Sequence, residues 1–107
     1  MNHSQPKQEV RTPRMDLFEL ESSYYLRLSL PGVKRENMRL FFNERGLLEV
    51  KGKVITALPK QLKHTITQEI YEGPFHRTIE LPGEVNRQTV RFNYEGGVLE
   101  IFLEKQL

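Results

Sequence analysis

The chain contains no cysteine. Disulfides and thiolate metal sites are thereby excluded, and the chain suits a reducing compartment, so a cytoplasmic location is expected. No apolar run approaches the roughly 20 residues that span a bilayer. Met1 to Arg14 lacks the apolar stretch of a secretory signal. No membrane partner is therefore expected. Signatures of catalysis are also missing. Serine occurs only at positions 4, 22, 23 and 29, none of them in a nucleophile elbow. His3, His64 and His76 are scattered, without the spacing of metal ligands. Gly96-Gly97 has no Lys-Ser or Lys-Thr after it, as a phosphate-cradling loop requires. Carboxylates are spread along the chain and form no obvious pair. These absences predict a protein that is not an enzyme and carries no cofactor and no metal.

Charge of one sign is scarce as well. The net charge is +2, and Met1–Arg14 accounts for it, with Lys7, Arg11 and Arg14 against Glu9. The remainder holds thirteen basic and thirteen acidic side chains. A phosphate-backbone binder needs a basic face on its fold, so no nucleic-acid partner is expected.

What the chain does have is apolar alternation. A chain of 107 residues fits one domain with one core. Met1–Pro13 is polar, carries Pro6 and Pro13, and reads as a flexible N-terminal arm, leaving 14–107 as the folded domain. Tyr24, Leu26, Leu28 and Leu30 recur with period two, as in a strand with one buried face. Pro31-Gly32 stops this run. Met38, Leu40 and Phe42 alternate, Asn43–Gly46 turns, and Leu48 and Val50 follow, with Gly52 closing that strand. Residues 53–64 are irregular and include Pro59, yet carry Ile55, Leu58 and Leu62. Strand character resumes at Thr65, through Ile66, Ile70, Phe75, Ile79 and Leu81, with Gly73-Pro74 interrupting it. Val90, Phe92 and Tyr94 alternate, Glu95–Gly97 turns, and Leu99, Ile101 and Leu103 alternate to the end. Helical periodicity is confined to two short candidates, Lys34–Asn37 and Glu84–Gln88. The pattern predicts an all-β antiparallel sandwich of seven to eight strands.

The chain also echoes itself at an offset of 51. Leu30-Pro31-Gly32 matches Leu81-Pro82-Gly83, Phe41 matches Phe92, and Glu44 matches Glu95. Gly46, Leu48 and Glu49 match Gly97, Leu99 and Glu100. Two copies are too few for a solenoid. They read as two similar hairpin units in opposing sheets, or as two hairpins built by the same turn grammar. The apolar faces of Met38–Phe42 and Val90–Tyr94 are out of step by one residue, which flips a strand, so the turn must absorb the shift.

Arg14–Glu19, Leu30-Pro31-Gly32-Val33 with Asn37–Leu40, Phe75-His76-Arg77 with Ile79–Pro82, and Tyr94–Leu99, taken in order, resemble segments of the small heat-shock protein, or alpha-crystallin domain, family in its bacterial and plant branch. Arg14–Glu19 resembles the opening strand of that domain. Leu30-Pro31-Gly32-Val33 with Asn37–Leu40 resembles its "LPGv" segment. Phe75-His76-Arg77 with Ile79–Pro82 resembles its "F.R.f.LP" strand, and Tyr94–Leu99 its closing "y.nGvL" signature. The landmarks fall in family order from about residue 14 to residue 105. The resemblance implies an immunoglobulin-like sandwich with an extended dimerisation loop, 53–64, that exchanges with a partner near its Arg14–Glu19. It implies ATP-independent binding of unfolding client proteins, a homodimer, and association with other small heat-shock proteins. It also implies a peptide groove between 38–43 and 89–94. Members usually carry a longer arm and an Ile/Val-x-Ile/Val tail motif. Here the arm is about fourteen residues and the only such spelling, Leu99-Glu100-Ile101, lies within a strand. A dimer, or a module in another member's assembly, is expected rather than a large cage.

Candidate site residues follow. Leu40, Phe42, Val90 and Phe92 are candidates for the client groove, each equally readable as core. Leu17, Ile55, Leu58, Leu62 and Arg77 are candidates for the dimer interface. Arg77 shares a strand face with Phe75, Ile79 and Leu81, and an arginine there needs a partner or must snorkel to the sheet edge. Two other uses of the same sandwich stay open at this point. One is a co-chaperone adaptor of the CS-domain type, usually monomeric and without the exchanging loop. The other is a structural or coat assembly protein.

Overall fold

The computed structural model describes residues 9–106. It contains seven strands: β1 (Met15–Glu19), β2 (Ser23–Ser29), β3 (Met38–Phe42), β4 (Leu48–Val54), β5 (Gly73–Ile79), β6 (Arg91–Glu95) and β7 (Val98–Glu104). They form a four-stranded sheet in the order β1-β2-β7-β6 and a three-stranded sheet in the order β3-β4-β5. All pairings are antiparallel. The all-β sandwich expected from the alternation is the fold observed. The two helix candidates are single 3-10 turns, Arg35–Asn37 and Arg87–Thr89. Each leads into an edge strand.

The period-two apolar residues supply the interior. Leu26, Leu28, Ile101 and Leu103 from one sheet meet Leu48, Val50, Phe75 and Ile79 from the other, all nearly or wholly sealed from solvent. Burying each such side chain stabilises the fold by roughly 1.5–3 kcal/mol. Among the described residues no polar or charged side chain is fully buried. At Gly52 the backbone is too close for any side chain, since a Cβ would lie 2.0 Å from the Asn37 carbonyl oxygen. That glycine does not end its strand, as the sequence suggested. It lets the 3-10 turn before β3 press onto β4, which continues to Val54.

The two echoed hairpins do sit in opposite sheets. In the second, Glu95 pairs with Val98 across Gly96-Gly97, whose φ angles of 61° and 81° suit a tight two-residue turn. In the first, Phe42 pairs with Leu48 across the longer Asn43–Leu47 turn. There the Asn43 side chain accepts hydrogen bonds from the Arg45 and Leu47 amides, at 2.9 and 3.0 Å. The longer turn absorbs the phase shift. Phe41 pairs with outward Glu49, whereas its echo Phe92 pairs with buried Ile101. Equivalent phenylalanines therefore point to opposite faces.

Two expectations change. The irregular segment placed at 53–64 instead runs from 55 to 72, because Lys53 and Val54 belong to β4 and the strand expected from Thr65 begins only at Gly73. Residues 65–72 have strand-like residues but, among the described residues, no neighbouring strand to complete their backbone hydrogen bonds, and unpaired backbone does not hold a ladder. Of the expected arm, residues 1–8 lie outside the described residues, while Arg11 forms a parallel bridge to Phe75. The radius of gyration is 17.2 Å, against roughly 13 Å for a compact chain of about 100 residues. Leu58, Leu62, Ile66 and Ile70 of the long loop are all exposed, so the loop does not bury its apolar side chains on the sandwich.

Candidate functional site: an apolar loop and open strand edges

Neither sheet is closed, so the sandwich has strand edges, and these position the candidate residues. β3 and β6 are edges of opposite sheets. Leu40 and Phe42 on β3 pair with Val50 and Leu48, which turns them toward the interior. Both are half-buried against the core, as is Val90 just before β6. Phe92 on β6 is 43% exposed. Leu40, Phe42 and Val90 are thus partly covered core residues at or beside the two edge strands, and Phe92 is more exposed than they are.

Two arginines that sequence reasoning overlooked link these edges. The Arg35 guanidinium, from the turn before β3, lies 5.4 Å from the Phe92 ring on β6. Reciprocally, Arg87 from the turn before β6 lies 4.9 Å from the Phe42 ring on β3. Cations over ring faces are attracted by about 0.5–1 kcal/mol at exposed sites. They place a positive charge beside each of the two edge strands. Nothing in one-dimensional spacing pairs Arg35 with Phe92, because the contact crosses between sheets.

The interface candidates are dispersed in the single chain. Leu17 lies on β1, half-buried against the core, next to an outer β1 edge that has no strand partner among the described residues. Ile55, Leu58 and Leu62 are all exposed on the loop. Ile66 and Ile70, assigned to a strand by their pattern, are more exposed still, at 88% and 79%. Leu58, Leu62, Ile66 and Ile70 line one concavity of the loop. The neck of this loop is tied by Glu72, whose carboxylate accepts hydrogen bonds from the Thr56 amide at 3.0 Å and from the Thr56 hydroxyl. Those bonds hold the Glu72 carboxyl below its ordinary range.

Among the described residues, no carboxylate pairs with Arg77. It is half-buried on the inner face of β5, opposite Val50, and its Nη1 donates to the Pro13 carbonyl at 3.1 Å. His76, one position earlier, faces outward and lies 2.6 Å from Glu49. The Asn43 side chain, then His76, hold the Glu49 carboxyl below its ordinary range. Among the described residues no cluster of potential metal ligands occurs, and no helix is long and apolar enough to cross a membrane.

Comparison with known proteins places this geometry. Residues 16–107 match the profile described as the Hsp20/alpha crystallin family. The chain is 34% identical over 98 residues to small heat shock protein C4 of Rickettsia felis, covering 92% of this chain but 60% of that protein. Among solved structures it resembles heat shock protein 16.0 of Schizosaccharomyces pombe, with a TM-score of 0.78 and 26% identity over 88% of this chain and 86% of that one. It also resembles a small heat-shock protein of Xylella fastidiosa, with a TM-score of 0.74 and 29% identity over 89% of this chain and 86% of the other.

Proposed function

The chain belongs to the Hsp20/alpha-crystallin family, and from that premise we propose that it is an ATP-independent holdase, which binds unfolding proteins and suppresses their aggregation as a dimer or within a larger assembly. The observation that carries this reading is the loop 55–72. Its five large aliphatic side chains are all exposed, and nothing among the described residues covers them. A monomer with such a surface is expected to bury it against another chain.

The same reading assigns the loop to exchange between two protomers. Residues 65–70 would add as a strand to the open β1 edge of the partner, beside Leu17, completing the pairing that they lack alone. The groove of Leu40, Phe42, Val90 and Phe92 would take short apolar segments, from clients or from other family members. Each contact is individually weak, and two or more sites per assembly raise the avidity. A cytoplasmic setting fits the lack of cysteine.

The test is light scattering from a heat-labile client with and without the chain and with no nucleotide. Suppression at near-stoichiometric ratios is expected, together with its reduction when residues 57–71 are replaced by a short polar linker. A folded chain that leaves scattering unchanged would overturn the holdase reading and favour an adaptor or structural subunit.

A further inference from the structure

β5 is the outer strand of the three-stranded sheet, and residues 9–13 lie along its free edge. The Arg11 amide donates to the Pro74 carbonyl at 3.1 Å, and the His76 amide donates to the Arg11 carbonyl at 2.9 Å. Two side chains hold the same segment, and both hold its main chain. The Tyr71 hydroxyl, whose one proton is shared between the Glu9 and Pro74 carbonyls, lies 2.8 Å from the Glu9 oxygen, and Arg77 donates to the Pro13 carbonyl at 3.1 Å. A side chain of the segment is engaged at Arg11, whose guanidinium sits 4.2 Å from the Tyr71 ring centre. The edge therefore reads extended backbone, with a preference for a cation over Tyr71.

The bound segment uses only part of what the edge offers. It makes a single bridge and then leaves at Thr12-Pro13, where proline has no amide to donate. Arg14 turns away to β2, its carbonyl accepting from the Ser29 amide at 2.9 Å. Beyond His76 the next edge-facing groups, the His76 carbonyl and the Thr78 amide, have no backbone partner among the described residues. A longer strand without proline could pair with them and gain bonds that residues 9–13 cannot make.

We infer that the β5 edge is a second strand-accepting site, specific for extended segments of unfolded polypeptide, which residues 9–13 fill in cis until such a segment displaces them. The ligand class rests on the holdase reading, but the site itself rests on the contacts above. A folded partner has little extended backbone to spare, whereas an unfolding one has it in abundance. Exchange of the same segment between two copies would replace each contact by an identical one and leave the His76 carbonyl and Thr78 amide as they are. The tethered segment competes at an effective concentration in the millimolar range, so the site is weak in the resting chain and opens in proportion to local client density.

The experiment uses the full chain and a fluorescein-labelled peptide, Glu-Val-Arg-Thr-Val-Thr-Val, which copies residues 9–12 and continues without proline. Fluorescence polarisation is the readout. Arg11→Pro removes the amide that donates to Pro74 and leaves the edge intact, so it is expected to bind the peptide roughly tenfold more tightly than the unaltered chain, its tethered competitor being weakened. Adding His76→Pro removes the edge donor and should abolish that gain, while adding His76→Ala, which keeps the amide, should preserve it. Since a proline at 76 could unfold the strand, amide chemical shifts supply a second reading. In Arg11→Pro the peptide should perturb His76 and Thr78, and not β3, β6 or β1. Unchanged affinity in Arg11→Pro, or shifts confined to another edge, would overturn the site. So would self-association of Arg11→Pro that exceeds that of the unaltered chain and that the peptide fails to reverse, which would make a second copy the occupant. Peptide binding at β5 without protection of a heat-labile client would instead sink the holdase reading and leave the site standing.

Discussion

Ile79 and Ile66 are the same side chain in segments of similar apolar content, yet the first is 1% exposed and the second 88%. The difference is in their neighbours. Ile79 lies on β5, paired with Leu48 of β4 and covered by the opposing sheet. Ile66 lies in a segment with equivalent residues but no strand beside it and no sheet above it. A β-strand is a relation between segments, and apolar content alone does not complete one. The sandwich body carries its own partners, whereas the large apolar side chains of the loop 55–72 are left exposed.

That contrast can be broken first in the body. Ile101→Ala should cost about 2–5 kcal/mol, read as a lower midpoint in urea unfolding, because the vacated space lies among Leu26, Leu28 and Leu103. A loss under about 1 kcal/mol would mean that the interior relaxes more than its close packing implies. Gly52→Ala tests the tightest backbone approach. A methyl group 2.0 Å from the Asn37 carbonyl forces the turn before β3 off β4, an overpacking effect of about 1–3 kcal/mol in the same assay.

The loop should respond in the opposite manner. Ile66→Ser with Ile70→Ser is expected to change the unfolding free energy of a monomer by no more than about 0.5 kcal/mol. The same pair should shift a sedimentation profile from dimer toward monomer. Retention of a full dimer would show that the interface lies elsewhere.

The smallest effect concerns the loop neck. Hydrogen bonds from Thr56 depress the Glu72 carboxyl below its ordinary value of 4.5. A carboxyl whose folded value is lowered contributes stability above its unfolded value, and that contribution disappears as pH falls through the folded value. The Thr56 amide resonance should therefore titrate with a midpoint under 4.5, and Glu72→Gln should remove the step. A midpoint at or above 4.5 would show that the neck is not tied by this pair.

Much of the body was legible in one dimension, for identifiable reasons. Leu26, Leu28, Leu99, Ile101 and Leu103 alternate because a strand presents successive side chains to opposite faces, and the period survives without knowledge of the partner. Gly96-Gly97 announced its turn because two successive positive φ angles favour glycine. Leu40, Phe42 and Val90 were legible as core by their alternation, and they pack partly buried against it. Arg35 and Arg87 were not legible, since each touches a ring in the opposite sheet. Nor was the partner of Arg77. Its place on an apolar face demanded one, but the Pro13 carbonyl lies 64 residues away in sequence and carries no side-chain signal.

By itself, the sequence determined the secondary-structure type, most strand limits, the composition of the core and the family, because alternation and turn chemistry are local and each residue declares its own preference. Only the tertiary structure decided that Phe41 and Phe92 face opposite ways, that 65–72 remains outside any sheet, and that residues 9–13 occupy the β5 edge. Each of those depends on which backbone groups find a partner, and a hydrogen-bond partner is a fact about two segments, written in neither alone.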